Sequence, residues 1–297
     1  MIKRRSRMMA KCSFMAMCIS LLLSACVDTG LKEISLSVSA RGTRVSEPIE
    51  GQNGTRITLS RADLAFGPLY LCAGVNAGDL CDTARFEWLD SAVINLIDDQ
   101  AMNLGLLQGS TGVVQSWMYD LGISSQLTQR EAFVLKAARE LNGHSLLIEG
   151  EAQINNDAVI PFRAALKIEQ SEDTERGIPV IRKSGSENFY REVKNDSSSL
   201  QITFDPQDWL KDLDLSVYVT HDYCESISDS ILCDGNLERH CNEAEEIESR
   251  DCAELGQICL PTLGCQEQLK IEEGSTAYRV LRNALLVGER PQFQWLD

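Results

Sequence analysis

Hydrophobic and polar residues alternate with a period of two along most of the chain, and this pattern predicts β-strands. One face of the first predicted strand carries Ile34, Leu36 and Val38. Further alternating runs predict strands over residues 57–66, 69–72, 92–97, 105–108, 113–119 and 200–204. Such a series of short strands is typical of a sandwich of antiparallel sheets.

One hairpin stands out in this series. Residues 145–154 and 159–169 flank Asn155-Asn156-Asp157, and Asn and Asp tolerate the left-handed conformations that tight turns require. The polar stretch 170–199 that follows is interpreted as a long exposed connection with an edge strand at 178–182.

Helical patterns are few. Ser275 is expected to cap a helix over 275–286, in which Ala277, Val280, Leu281 and Ala284 share one face, and Gly288 is expected to end it. Asp205-Pro206 predicts the start of a short helical turn. Residues 131–141 fit either a helix or a strand at 133–135 followed by a short helix. A last strand is predicted around Phe293 and Trp295.

These patterns together predict a mainly β protein, an antiparallel β-sandwich with few short helices and a small disulfide-rich insertion. The domain boundaries are predicted as a signal peptide over 1–25, a tether over 26–32, a body over 33–223, a cysteine-rich segment over 224–265, and a helix and strand over 266–297 that return to the body.

The first 26 residues have the layout of an export signal. A basic leader precedes an apolar run over 13–23, and Leu23-Ser24-Ala25-Cys26 resembles the lipobox of bacterial lipoproteins. Charge-free sequence runs only from Cys12 to Val27, which is shorter than the about 20 residues that span a bilayer. The resemblance implies lipid on Cys26, and Val27 in the next position implies an outer-membrane location.

Charge limits the partners of the exported protein. The formal net charge is −16, and a leader with five basic and no acidic side chains leaves −21 when it is removed. Such a surface repels nucleic acid at long range, which excludes DNA and RNA as partners. The tether of about seven residues reaches at most roughly 23 Å, so the body is expected to lie close to the membrane.

Eleven cysteines provide further evidence of export. Cys12 and Cys18 leave with the signal and Cys26 is the lipidation site, so an even number remains, which is typical of disulfides in an oxidising compartment. Cys72 and Cys81 are expected to pair across the short loop between them. The other six allow 15 pairings and contain no Cys-x-x-Cys, so disulfides are favoured over zinc; they are Cys224, Cys233, Cys241, Cys252, Cys259 and Cys265.

Candidate binding residues are sparse. Trp88, beside the Cys72–Cys81 loop, and Tyr119 are the aromatic residues predicted to be exposed for binding, whereas Trp117 and Trp295 are predicted to lie in the core. An acidic cluster offers oxygen ligands for calcium, although one of its members also suits a helix cap; it consists of Asp205, Asp208, Asp212 and Asp214.

No catalytic motif is found in the sequence. The three histidines are His144, His221 and His240, and the neighbouring His221 and Asp222 would point to opposite faces of a strand. Serine-nucleophile elbows, zinc-helix motifs and phosphate-binding loops do not occur. A Ser-His-Asp set assembled from distant positions is an open alternative, because such sets have no fixed spacing.

Three stretches resemble known proteins: "ITLSRADLAFGPLYLC", "SWMYDLGISSQLTQ" and "DCAELGQICLPTLGC". They resemble uncharacterised outer-membrane lipoproteins of myxobacterial type with a six-cysteine disulfide module. The strand rhythm is also similar to the periplasmic β-sandwich partner proteins of methanobactin import, which bind copper. The first resemblance implies an exported β protein without an assigned activity.

The sequence therefore favours a lipid-anchored cell-envelope protein that binds without catalysis and uses no cofactor. Its expected partners are the membrane, through the N-terminal lipid, and an envelope protein or polymer. Two alternatives are a hydrolase of envelope or extracellular polymers and a metal-binding partner protein of periplasmic type.

Overall fold

Strands account for most of the regular structure in this computed structural model. The model describes residues 31–75, 81, 84–124, 133–154, 159–167, 182–186, 189–218, 231–234, 236–241, 247–260, 264–288 and 290–297. Residues 34–297 form one compact unit. The prediction of a mainly β protein with few short helices is confirmed.

The strands in the described residues are β1 (Glu33–Arg41), β2 (Ile49–Glu50), β3 (Thr55–Phe66), β4 (Leu69–Cys72), β5 (Ala84–Trp88), β6 (Ala92–Asn95), β7 (Met102–Ser110), β8 (Gly112–Val114), β9 (Ser116–Asp120), β10 (Ile123–Ser124), β11 (Phe133–Val134), β12 (Leu146–Ile154), β13 (Val159–Leu166), β14 (Arg182–Gly185), β15 (Arg191–Val193), β16 (Ser199–Thr203), β17 (Ile231–Asp234), β18 (Leu237–Cys241), β19 (Ile247–Asp251), β20 (Ile258–Leu260), β21 (Gly264–Gln266), β22 (Leu269–Ile271) and β23 (Gln292–Leu296). The helices are α1 (Lys136–Glu140), α2 (Gln207–Leu210) and α3 (Thr276–Val287). Short 3₁₀ turns occur at Ser216–Tyr218 and Ala253–Leu255.

Two large sheets form the body. One has eight strands in the order β14-β9-β4-β5-β7-β1-β16-β23. The other has the order β2-β3-β12-β13-β22, with β6 also paired to β3. The expected antiparallel arrangement holds for most pairs, but β1 pairs in parallel with β16 and β13 with β22. Both parallel pairs join strands far apart in sequence, as parallel pairing requires.

The period-two pattern corresponds to one buried face in strands such as β1, β13 and β16. In β1, Leu36, Val38 and Ala40 are buried, and the residues between them are more exposed. The predicted hairpin is confirmed: β12 and β13 pair antiparallel, with Ile148 opposite Ala164. The turn at 155–158 lies outside the described residues. The buried faces of the two sheets share one hydrophobic core.

Helix boundaries follow the capping signals. The Ser275 side chain accepts a hydrogen bond from the Tyr278 amide, which starts α3 as predicted, and α3 ends before Gly288. The Asp205 carboxylate accepts a hydrogen bond from the Gln207 amide at 3.0 Å. Residues 133–140 adopt the second of the two predicted alternatives, a short strand followed by a short helix.

The chain contributes to both large sheets after the cysteine-rich segment. Strand β22 pairs with β13, and β23 pairs with β16 at one edge of the eight-stranded sheet. At the other edge, β14 begins at Arg182, the last residue of the predicted edge strand, and residues 178–181 are not described. Within the described part of the chain, no helix combines the length and hydropathy needed to span a bilayer.

Candidate functional site

Three of the four acidic residues predicted to bind calcium have separate local roles, and the fourth, Asp212, is exposed. Asp205 caps α2, and Asp208 forms an ion pair with Lys211 at 3.4 Å. Asp214 accepts hydrogen bonds from Ser216 and from Asn53, at 2.6 Å and 2.7 Å. Among the described residues, a set of three or more possible metal ligands forms elsewhere and includes none of these aspartates.

Hydrogen bonding controls the protonation of Asp214. Desolvation favours a higher pKa for this carboxyl group, but the bonds from the Ser216 side chain and backbone and from Asn53 outweigh it, so its pKa lies below the ordinary value. The ionised carboxylate holds the turn after β2 against the 3₁₀ turn that begins at Ser216. This arrangement is structural.

The prediction that Trp88 and Tyr119 are exposed for binding is wrong. Trp88 is 7 % exposed, and its ring stacks on Phe66 with centroids 6.1 Å apart. Tyr119 is 2 % exposed and lies 5.2 Å from the same ring. Burial raises the pKa of the Tyr119 phenol, and the charge of Arg290 opposes this more weakly. Both rings belong to the core because their strands turn these faces inward.

The eight-stranded sheet curls until its two edges approach each other, which the strand pattern does not reveal. Phe293 on edge strand β23 stacks on Trp117 of β9 with centroids 4.4 Å apart, and β9 is next to edge strand β14. The Arg290 guanidinium lies 6.0 Å from the centre of the Trp117 ring. Trp117 is buried, as predicted, and Trp295 is partly buried against the core.

Three disulfides are present in the described residues. Cys72 pairs with Cys81, as predicted, and closes the loop after β4. In the cysteine-rich segment Cys233 pairs with Cys259, and Cys252 pairs with Cys265. The segment's remaining two cysteines are Cys224, which lies outside the described residues, and Cys241, which belongs to β18.

One group in the cysteine-rich segment has the composition of a metal site. It contains Glu238, Cys252 and Cys265. The two sulfur atoms are bonded to each other, so they provide no thiolates. The Glu238 carboxylate accepts a hydrogen bond from the Cys265 amide at 3.0 Å. This group therefore joins β18 to β21 structurally.

His144 is the histidine whose side chain is described. Nδ1 of His144 lies 2.9 Å from the Leu141 carbonyl oxygen, which places it in the loop after α1. His221 lies outside the described residues, and of His240 only the position in β18 is described. Asp98 accepts a hydrogen bond from the Gln100 amide at 2.9 Å and forms a turn.

Several apolar side chains of the described residues are exposed, and two of the surfaces that carry them are relevant to binding. One is the 3₁₀ turn Ala253–Leu255 of the cysteine-rich segment, where Leu255 is 49 % exposed between disulfide-bonded Cys252 and Cys259. The other is the end of the eight-stranded sheet where β1 begins, which we name the entry end. At this end, Val75 follows Cys72 in the chain and is 57 % exposed. Tyr190 precedes β15 and is 66 % exposed. The hydrophobic pattern did not distinguish these residues from core residues.

Comparisons with known proteins assign no family to this chain. No family model matches it, and no curated protein matches it. MbnP from Methylosinus trichosporium is similar in structure at 10 % sequence identity and a TM-score of 0.33, over 63 % of this chain and 80 % of that one. At this level of similarity, the comparison assigns neither a fold nor a function to this chain.

Proposed function

We propose that this chain is a lipid-anchored protein of the outer membrane that binds an envelope protein or polymer without catalysis. The disulfides support this proposal most directly, because such bonds persist in the oxidising compartments that exported proteins reach. The sequence Leu23-Ser24-Ala25-Cys26 supplies the proposed lipid attachment site.

The rigid cysteine-rich segment is the proposed recognition element. Its 3₁₀ turn is enclosed by disulfide-bonded residues on both sides, and the Gln257 amide donates a hydrogen bond to the Cys252 carbonyl at 2.9 Å. Leu255 is therefore presented in a fixed position, and this lowers the entropic cost of binding. The segment is also tied to the body, because Leu260 is fully buried in the shared core.

Anchoring is tested by metabolic labelling with radioactive palmitate. The wild-type chain should incorporate label and fractionate with outer membranes, and Cys26→Ser should lose both properties. Label that persists in Cys26→Ser would contradict the proposed attachment site.

Recognition is tested with surface substitutions, because deletion of the segment would remove Leu260 from the core. The wild-type chain should capture envelope material, and the Leu255→Asp variant should fail to capture it. The matched control is Val159→Asp, since Val159 is 47 % exposed on the body. Equal capture by both variants would exclude the segment as the recognition element.

A further inference from the structure

We infer that the entry end of the eight-stranded sheet faces a zwitterionic phospholipid bilayer, which the side chains of Val75 and Tyr190 contact. This inference rests on the proposed lipid anchor and adds an orientation and a contact surface to it.

Strand registers place both residues at the entry end. Ser35 near the start of β1 donates a hydrogen bond to Gln108 of β7 at 2.7 Å, and Gln108 is opposite Glu87 of β5. Gln108 lies near the end of β7, and the antiparallel strand β5 starts beside that end, where Ala84 is opposite Cys72, the last residue of β4. Val75 follows Cys72 in the same direction.

Tyr190 lies at the same end, as the pairing of β8 and the contacts just before β9 indicate. The Cys72 carbonyl accepts a hydrogen bond from the Gln115 amide at 2.9 Å, and the adjacent Val114 pairs with Arg191. Val75 and Tyr190 therefore flank one short segment of chain, residues 114–116.

The loop that carries Val75 is held in place. The Gln115 side chain donates to the Ala73 carbonyl at 2.9 Å, and the Ser116 hydroxyl donates to the Gly74 carbonyl at 2.7 Å. The disulfide from Cys72 to Cys81 closes the loop on its other side. Both the hydrogen bonds and the crosslink keep Val75 at the surface.

The short tether indicates that the partner of this surface is the bilayer. About seven residues separate a lipidated Cys26 from β1, which limits the distance to roughly 23 Å. Strand β1 has nine residues, so the opposite end of the sheet lies about 30 Å farther along the strand direction. The entry end is therefore the end that the anchor holds near lipid.

The chemistry of the surface suits a zwitterionic interface. Tyrosine side chains favour the boundary between headgroups and acyl chains, since the ring is apolar and the hydroxyl group is polar. Nearby, Lys194 forms an ion pair with Glu192 at 3.1 Å, and Arg191 forms one with Asp297, so the charges within each pair cancel. The acidity of the whole chain also disfavours anionic lipid.

Photo-crosslinking of the full lipidated chain in phosphatidylethanolamine–phosphatidylcholine vesicles tests this orientation. Tyr190→p-benzoylphenylalanine is compared with Leu89→p-benzoylphenylalanine. Leu89 is the matched control because it is 62 % exposed and follows Trp88, at the end of β5 away from Ala84. Lipid adducts are measured by mass spectrometry, and palmitate incorporation is measured on the same samples.

Position 190 should give at least about fivefold more lipid adduct than position 89, because only position 190 would lie at the interface. Palmitate incorporation with equal or no adduct at position 190 would overturn the orientation and leave the anchor intact. Failure to incorporate palmitate would overturn both the anchor and the orientation.

Discussion

The β body and the cysteine-rich segment are stabilised in different ways. The body buries large aromatic side chains from both sheets, including Phe66, Phe162 and Phe204, in one core. Where burial in the segment is described, the buried hydrophobic residues are Cys252, Cys259 and Leu260. A short segment cannot bury enough apolar surface to order its own chain, so crosslinks replace most of the core.

The largest expected effect is a core substitution in the body. Phe66→Ala should lower the free energy of unfolding by about 3–5 kcal/mol, because it leaves a cavity among three aromatic rings. Urea denaturation followed by tryptophan fluorescence measures the change. Leu89→Ala, at an exposed position, should change it by less than about 0.5 kcal/mol. Similar losses in both variants would contradict the view that the body depends on its core.

Removal of one disulfide should affect mainly the segment. The double variant Cys252→Ala, Cys265→Ala removes a crosslink between cysteines that are 13 residues apart. The segment should lose about 3 kcal/mol of local stability, because its unfolded chain is then less restricted. Hydrogen exchange should accelerate in β18 and β19 and remain slow in β3. An equal acceleration in β3 would show that the body and the segment unfold as one unit.

A smaller effect is expected where the chain returns from the segment to the body. Ser275→Ala removes the hydrogen bond to the Tyr278 amide at 3.1 Å, which should cost about 1 kcal/mol in unfolding free energy. Glu273→Ala, at an exposed position just before the helix, is the control. Chemical denaturation of both variants measures the change in the free energy of unfolding. The loss from the missing cap should be smaller than the loss from the core substitution.

The smallest effect concerns the pH dependence of the body. The pKa of Asp214 is lower in the folded chain than in the unfolded chain, so its contribution is present at neutral pH. This contribution to the free energy of unfolding should be lost as the pH falls from the pKa in the unfolded chain, about 3.9, through the lower pKa in the folded chain. Asp214→Asn should reduce this acid sensitivity in denaturation measured from pH 7 to pH 2. Asp212→Asn, whose carboxyl group is exposed, should leave it unchanged.

Local signals in the sequence were sufficient for many individual elements. Alternation predicted the β12–β13 hairpin, and Ser275 predicted the start of α3, because both depend on residues near one another in the chain. The short loop between Cys72 and Cys81 similarly limited their pairing. The two pairings observed among the six clustered cysteines depend on how β17 to β21 pack, and spacing alone does not select them.

Whether the aromatic residues are buried or exposed depends on how the sheets assemble. The sequence predicts exposure of Trp88 because this residue lies beside the Cys72–Cys81 loop, and it offers Tyr119 as a second exposed aromatic residue. Both rings are buried: Phe66 of β3 packs against Trp88 and Tyr119, and Phe204, which follows β16, packs against Tyr119. A period of two separates the faces of a strand, but it does not state which face a second layer covers.

The sequence by itself determined the strand-rich class and the capped helix, since each of these is specified by contacts or chemistry within a short stretch of chain. Only the tertiary structure decided the parallel pairings, the approach of the two sheet edges through Trp117 and Phe293, and the shared position of Val75 and Tyr190. Those features join residues that are far apart in sequence, and their geometry follows from sheet curvature and packing, which a linear pattern does not contain.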